Sequence, residues 1–218
     1  MNIRSFRVLA LGTILLGLLL GWFVRFHSDR LTDATLPLHE FAEMLEGGHW
    51  LGPKEAPVVV LVYQDYLCGY SAELFHTLTR LRTRYPEHVA VVVKNPVDPE
   101  QLFALSARVA LGAECAAELD SFLEYHTVAF EQSGVLGYRD AANMIVRLAG
   151  VSDVEAFEEC LSLRRHGSLL GAHHEEAVRI GAERSPTAFV NGVRVVGAAP
   201  LGLLDDLVAE GLGRSPSP

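Results

Sequence analysis

The stretch YQDYLCGYSAEL, residues 63–74, decides the reading of this chain, because an unbroken apolar run ends in it and a helical pattern begins. Just before it, APVVVLVYQD (residues 56–65) is rich in β-branched residues and uninterrupted, the pattern of a strand covered on both faces. Just after it, Leu74, Phe75, Leu78 and Leu81 recur at helical spacing in SAELFHTLTRLRTRYP, which stops where Pro86 disfavours helix in the residue before it. HVAVVVKNP, residues 88–96, is a second apolar strand. Strand, helix and strand in that order predict a right-handed crossover between parallel strands, with Cys68 at the first strand-to-helix junction.

Downstream, residues 99–182 carry helical patterns throughout, broken near EQSGVLG and LAGVSD. Ser152 reads as the cap of one helix there, with Glu155 completing a capping box ahead of Phe157, Cys160 and Leu161. Strand character returns in PTAFVNGVRVVGA (residues 186–198), where Asn191 and Gly192 supply the positive φ angles of a two-residue hairpin turn. An amphipathic helix, PLGLLDDLVAEGL, follows, and residues 212–218 read as a disordered tail. No internal repeat is visible.

Upstream, residues 25–47 read as a polar juxtamembrane connector holding one short helical piece, PLHEFAEMLEGG, closed by paired glycines. The run VLALGTILLGLLLGWFV, residues 8–24, is uncharged and close to the minimum length for a bilayer span. Arg4 and Arg7 precede it, and Trp22 and Phe23 stand at its far end as interfacial aromatics do. A cleaved signal peptide is the competing reading, but RFHSDRLTDATL after the run offers no small-x-small cleavage site. Residues 1–24 are therefore expected to be an uncleaved, single-pass transmembrane anchor with a cytoplasmic N-terminus. The rest of the chain is then expected on the extracytoplasmic, oxidising side.

With 218 residues, half of them hydrophobic, the chain can bury one sizeable core plus an appendage. Its net charge of -9, with Lys and Arg scattered, argues against nucleic acid as a partner. Three cysteines are too few for a disulfide scaffold, and an odd number in an exported chain points to one pair and one free thiol.

The element order, Cys68 at the junction and Ser185-Pro186-Thr187 just ahead of the hairpin together resemble the DsbA-like branch of the thioredoxin superfamily. The resemblance covers residues 48–211 and implies an α/β thioredoxin fold with a helical insertion over about 99–182. GAECAAELDSFLEYH and FEECLSLRR also resemble the helical insertion of that branch. The family's Cys-Pro-x-Cys pattern appears here within DYLCGYS, with Gly69 in place of the frequent proline and Ser71 in place of the second cysteine. By resemblance, Cys68, Ser71 and Pro186 take the catalytic positions, and Tyr70, Ser185 and Thr187 border a bound partner. Pro186 is where a cis bond is to be sought. No metal and no cofactor is implied. Cys115 and Cys160 lie on apolar helical segments of the same insertion and are expected to pair in an oxidising compartment, the alternative being two buried free thiols.

A thiol attacks a disulfide as the thiolate, and a helix N-terminus favours the anion. A dithiol enzyme then needs a second cysteine one helical turn on. Ser71 offers a hydrogen bond but cannot form a disulfide, so Cys68 can enter a mixed disulfide and needs an outside thiol to leave it. The expected function is monothiol thiol–disulfide exchange with protein or small-molecule thiols and disulfides of the cell envelope. The alternative is a catalytically inactive binding module that holds a peptide or partner protein beside Pro186, with Cys68 a relic. CGYS also resembles the CGFS of monothiol glutaredoxins, which bind iron–sulfur clusters, but the long helical insertion argues against that family.

Among the remaining polar residues, Asp65 either influences the thiol's proton or only finishes the strand. Lys94 reads as a solvated strand-end charge. His173, His174, Glu175 and Glu176 read as a solvated helix surface, because consecutive residues point to different faces. His126 reads as a core-edge histidine among Phe122, Tyr125 and Phe130. GYSAE falls short of the G-x-S-x-G nucleophile elbow at its last position.

Overall fold

The two β-branched runs form the centre of a five-stranded sheet. In the computed structural model, which describes residues 35–132 and 140–213, β2 (Val58–Tyr63) pairs in parallel with β3 (Val89–Lys94), from Val58 beside Val89 to Tyr63 beside Lys94. Every residue of both strands is buried, as continuous apolar runs require. The crossover between them is α2 (Gly69–Arg84), whose Leu74, Leu78 and Leu81 face the sheet. On the other side of β2 runs β4 (Thr187–Val190), antiparallel, followed by β5 (Val193–Val196). The strand β1 (His49–Leu51) adds antiparallel to β3, completing the order β1-β3-β2-β4-β5. This edge strand has too few residues for a periodic signal.

Two apolar layers sandwich the sheet. One contains Val58, Val60, Val62, Val91 and Val93 with α2, with α8 (Leu201–Gly211) through Leu204 and Val208, and with the insertion. The other contains Val59, Leu61, Tyr63, Val92 and Phe189 under α1 (Leu38–Glu43) and α7 (Gly167–Arg179). The insertion begins with a single 3₁₀ turn (Pro99–Gln101). It continues through α3 (Leu105–Glu118), α4 (Phe122–Glu131), α5 (Ala141–Leu148), α6 (Val154–Leu163) and then α7. A disulfide joins Cys115 on α3 to Cys160 on α6, with the Cα atoms 5.8 Å apart.

Asn191 (φ 45) and Gly192 (φ 92) make the hairpin turn. The Asn191 side chain also ties the turn to the sheet: its Oδ1 accepts from the Val59 N–H at 2.8 Å, and its Nδ2 donates to the Pro57 carbonyl at 3.0 Å. The Leu36 N–H donates to the Gly192 carbonyl, and Thr35 bridges to Val193.

Five expectations need correction. The connector read over 25–47 is, from residue 35 on, part of the packed domain: Phe41 and Met44 are core residues, an amphipathic contribution hidden by the surrounding charges. The helix at 154 is capped by Asp153, whose carboxylate accepts from the Ala156 N–H at 2.9 Å, and Ser152 lies one residue outside it. Lys94 is 1% exposed and ion-paired with Glu176 at 2.6 Å, and His173 is buried with its Nε2 donating to the Gly47 carbonyl, whereas Glu175 on the same helix is exposed as expected. His126 is fully inside the core. The apolar run 8–24, the EQSGVLG break beyond residue 132 and the tail beyond residue 213 lie outside the described residues. Among the described residues no helix is long and apolar enough to cross a membrane.

Candidate active site

β2 ends at Tyr63, and the chain turns through Gln64 to Leu67 before α2 begins at Gly69 with Cys68 as its N-cap residue. The turn is held locally. The Cys68 N–H donates to the Asp65 carbonyl at 3.1 Å, and the Asp65 carboxylate accepts from the Leu67 N–H at 2.8 Å. Burial raises the Asp65 pKa and the Leu67 hydrogen bond opposes the shift. Asp65 thus organises the turn, whichever protonation state it adopts.

Facing Cys68 is the segment that leads into β4. The Ser185–Pro186 peptide bond is cis, and the Cys68 thiol donates to the Ser185 carbonyl across 3.3 Å. This loop is fixed from behind: the Thr187 hydroxyl donates to the Arg184 carbonyl at 2.6 Å, and the Gly197 N–H donates to the Pro186 carbonyl at 2.8 Å. Thr187 and Pro186 are buried, whereas Ser185 is partly open. Leu67 and Tyr70, the neighbours of Cys68 and Gly69 in the chain, are exposed apolar side chains, Tyr70 at 65%. The fold therefore brings Cys68, Ser185, Pro186 and Thr187 together from segments more than a hundred residues apart.

Ser71 sits one turn into α2 and is buried, but its hydroxyl does not hold the sulfur. Its Oγ accepts from the Asp65 N–H at 3.3 Å, so it closes the turn that carries Cys68. Cys68 is the only cysteine of the chain outside the disulfide.

Behind the turn lies a polar network that the sequence does not announce, because its members come from separate elements. The Tyr66 hydroxyl donates to His126 Nδ1 at 3.0 Å, the Gln64 amide approaches the same nitrogen at 3.4 Å, and that amide also reaches Asn95 Oδ1 at 3.4 Å. His126 Nδ1 must be unprotonated to accept these donors. Burial, and then the positive fields of His49 and Arg82, lower the His126 pKa to about 3. His126 is thus a neutral acceptor that fixes Tyr66, two residues from Cys68. A second, partly buried group, Lys94, Glu176 and Tyr63, lies on the opposite face of the sheet: the Tyr63 hydroxyl donates to Glu176 Oε1 at 2.5 Å and Lys94 Nζ to the same oxygen at 2.6 Å.

Comparison with known proteins gives three kinds of likeness. The thioredoxin family profile matches residues 44–208. Na(+)/H(+) antiporter NhaA 3 of Salinispora tropica is 31% identical over 167 residues, which are 77% of this chain and 24% of that protein. A protein of Rickettsia typhi described as a protein-disulfide oxidoreductase is 26% identical over 155 residues, 66% of this chain and 54% of that one. The chain thus spans about a quarter of the one relative and about half of the other. Among solved structures, the thiol-disulfide exchange protein alpha-DsbA2 of Wolbachia pipientis superposes with a TM-score of 0.69 at 16% identity, covering 79% of this chain and 92% of that one.

Proposed function

Because the chain belongs to the thioredoxin family, with the DsbA-like form of its fold, we propose that it is a membrane-anchored, extracytoplasmic thiol–disulfide exchange protein that works through the single thiol of Cys68. One observation carries this reading: the only cysteine outside the disulfide stands at the N-cap position of α2 and faces the carbonyl of Ser185 beside the cis Pro186, while the residue one turn on is Ser71. The partner class follows from that chemistry, protein or small-molecule thiols and disulfides, and the exposed Leu67 and Tyr70 beside Cys68 in the chain offer apolar surface to it.

The exchange balances without a cofactor. The Cys68 thiolate attacks one sulfur of a partner disulfide, that S–S bond breaks, and the other partner sulfur leaves as a thiolate that takes up a proton. The mixed disulfide cannot be opened from within, because Ser71 has no sulfur and Cys115 and Cys160 are already bonded to each other. An external thiol attacks it and returns Cys68 as the leaving thiolate. Anchoring through residues 8–24 and exposure on the oxidising side are supported by the apolar run, its flanking arginines and the compatibility of a disulfide with that compartment.

The experiment is a comparison of the wild-type protein, Ser71→Cys and Cys68→Ser on a model disulfide. The wild type should form a long-lived adduct at Cys68 with a small-molecule disulfide and show weak dithiol oxidase activity. Ser71→Cys should resolve the adduct internally and raise that activity at least tenfold, and Cys68→Ser should form no adduct. A silent Ser71→Cys, together with a Cys68 that alkylates no faster than in the unfolded chain, would leave the binding-module reading standing.

A further inference from the structure

Away from Cys68, one cluster among the described residues combines three strong metal ligands, two cysteines and a histidine. Cys115 on α3, Cys160 on α6 and His166 in the turn before α7 each offer one ligand atom, and these atoms lie within 4.8 Å of one another. The two sulfurs are occupied by their mutual bond. His166 is held independently: its Nε2 is 2.7 Å from Glu118 Oε1, while the other Glu118 oxygen pairs with Arg165 Nη1 at 2.6 Å. Its second ring nitrogen has no hydrogen-bond partner among the described residues. A carboxylate bonded to one imidazole nitrogen orients the ring and makes the other nitrogen a better ligand.

We propose that reduction of the Cys115–Cys160 disulfide converts this cluster into a zinc site, with the two thiolates and His166 as ligands. The metal then takes over the cross-link between α3 and α6 that the covalent bond provides in the oxidised chain. The distances require only small movements. Zn–S bonds of about 2.3 Å in tetrahedral array place two sulfurs roughly 3.8 Å apart, and Cα atoms 5.8 Å apart allow this by side-chain rotation. Zn–N bonds of about 2.1 Å place the imidazole nitrogen roughly 3.6 Å from each sulfur, so atoms now within 4.8 Å of one another need close by little more than an ångström at most.

Charge selects the ion. Both cysteines are buried, and two thiolates with a neutral imidazole sum to two negative charges, which a divalent cation cancels and a monovalent one leaves half-compensated. Sulfur and nitrogen donors exclude magnesium and calcium and suit zinc. Three protein ligands leave the fourth tetrahedral position to water, and the His166 side chain, 21% exposed, is the one ligand side chain of the three that meets solvent. The redox step balances: a protein or small-molecule dithiol supplies two electrons and two protons and becomes a disulfide, and zinc then displaces the two protons from the new thiols to water.

Cobalt(II) is the probe, since its thiolate complexes carry an intense near-ultraviolet charge-transfer band. The full chain in detergent, reduced under anaerobic conditions and freed of reductant, should bind one cobalt with that band, and zinc should displace it. The oxidised chain and the Cys115→Ser/Cys160→Ser variant should show none. His166→Gln should bind at least tenfold more weakly, and Cys68→Ser should bind as the wild type does. A reduced chain without the band, or a band that survives His166→Gln unchanged or vanishes in Cys68→Ser, overturns the assignment. If reduction unfolds the insertion, circular dichroism decides: zinc must restore the helical signal and the thermal transition, and failure to do so counts equally against the site. Exchange activity at Cys68 enters none of these readouts.

Discussion

His126 is the residue where burial matters most for the turn that carries Cys68. It accepts from Tyr66 while surrounded by Phe75, Phe122 and Phe130, so it folds neutral. Its pKa in the fold is lowered from 6.5 to about 3, so between these values the unfolded chain binds a proton that the folded chain does not. Stability therefore is fully present above pH 6.5 and falls as the pH drops toward 3, with a slope of at most about 1.4 kcal/mol per pH unit from this group. His173, whose pKa burial also lowers, contributes in the same direction. Urea unfolding between pH 4 and pH 7 should show a distinctly shallower slope in His126→Gln than in the wild type. Equal slopes in the two proteins would count against this account of His126.

Among elements, the joint between α7 and the sheet depends on one ion pair. Lys94 is almost completely buried, Glu176 is 19% exposed at its side chain, and the Tyr63 hydroxyl shares the same carboxylate oxygen. Tyr63 stands between Lys94 on β3 and Thr187 on β4, so the pair anchors the row of the sheet from which the Ser185–Pro186 loop departs. Removing Glu176 leaves a buried ammonium and an unpartnered hydroxyl. Glu176→Ala should therefore cost about 2–3 kcal/mol, below the full penalty for a broken buried pair because Glu176 is partly solvated. The double variant Lys94→Met/Glu176→Leu should regain most of that loss, since it buries no unpaired charge. A Glu176→Ala protein with the wild-type urea midpoint would refute the role.

For the molecule as a whole, the covalent and topological constraints point the same way. The Cys115–Cys160 bond closes a sequence separation of 45 residues, worth roughly 4 kcal/mol by the loss of chain entropy in the unfolded state. Residues 35 and 36 join the domain at Val193 and Gly192, beside the turn at which Asn191 holds Val59. Cys68 follows the other end of β2, and the four steps from Val59 to Tyr63 alone span about 13 Å. Residue 35 therefore meets the sheet at the end opposite the one from which the chain runs on to Cys68. Protease added to intact spheroplasts should digest the domain while residues 1–24 stay with the membrane, and a protected domain or a mature N-terminus beyond residue 24 would exclude the anchor.

Local pattern was enough for the central βαβ unit, the helical insertion and the hairpin. Unbroken β-branched runs, helical periodicity in α2 and an Asn-Gly pair are each encoded by neighbours in the chain, and their order carried the resemblance to the DsbA-like fold. The position of Cys68 at a helix start and the replacement of its partner by Ser71 are equally local facts. Contacts across the chain were not legible in this way. The facing of Cys68 and Ser185 joins segments 117 residues apart, and Ser71 turns to the Asp65 backbone because the tight turn before α2 brings that N–H within reach. Lys94, His173 and Glu176 read as solvated polar residues, and His126 as a histidine at the edge of the core, until packing places them. A charge or ring that ends a strand or dots a helix shows no sign in sequence of the partner that will bury it, because that partner is supplied by another element and only the assembled layers bring the two together.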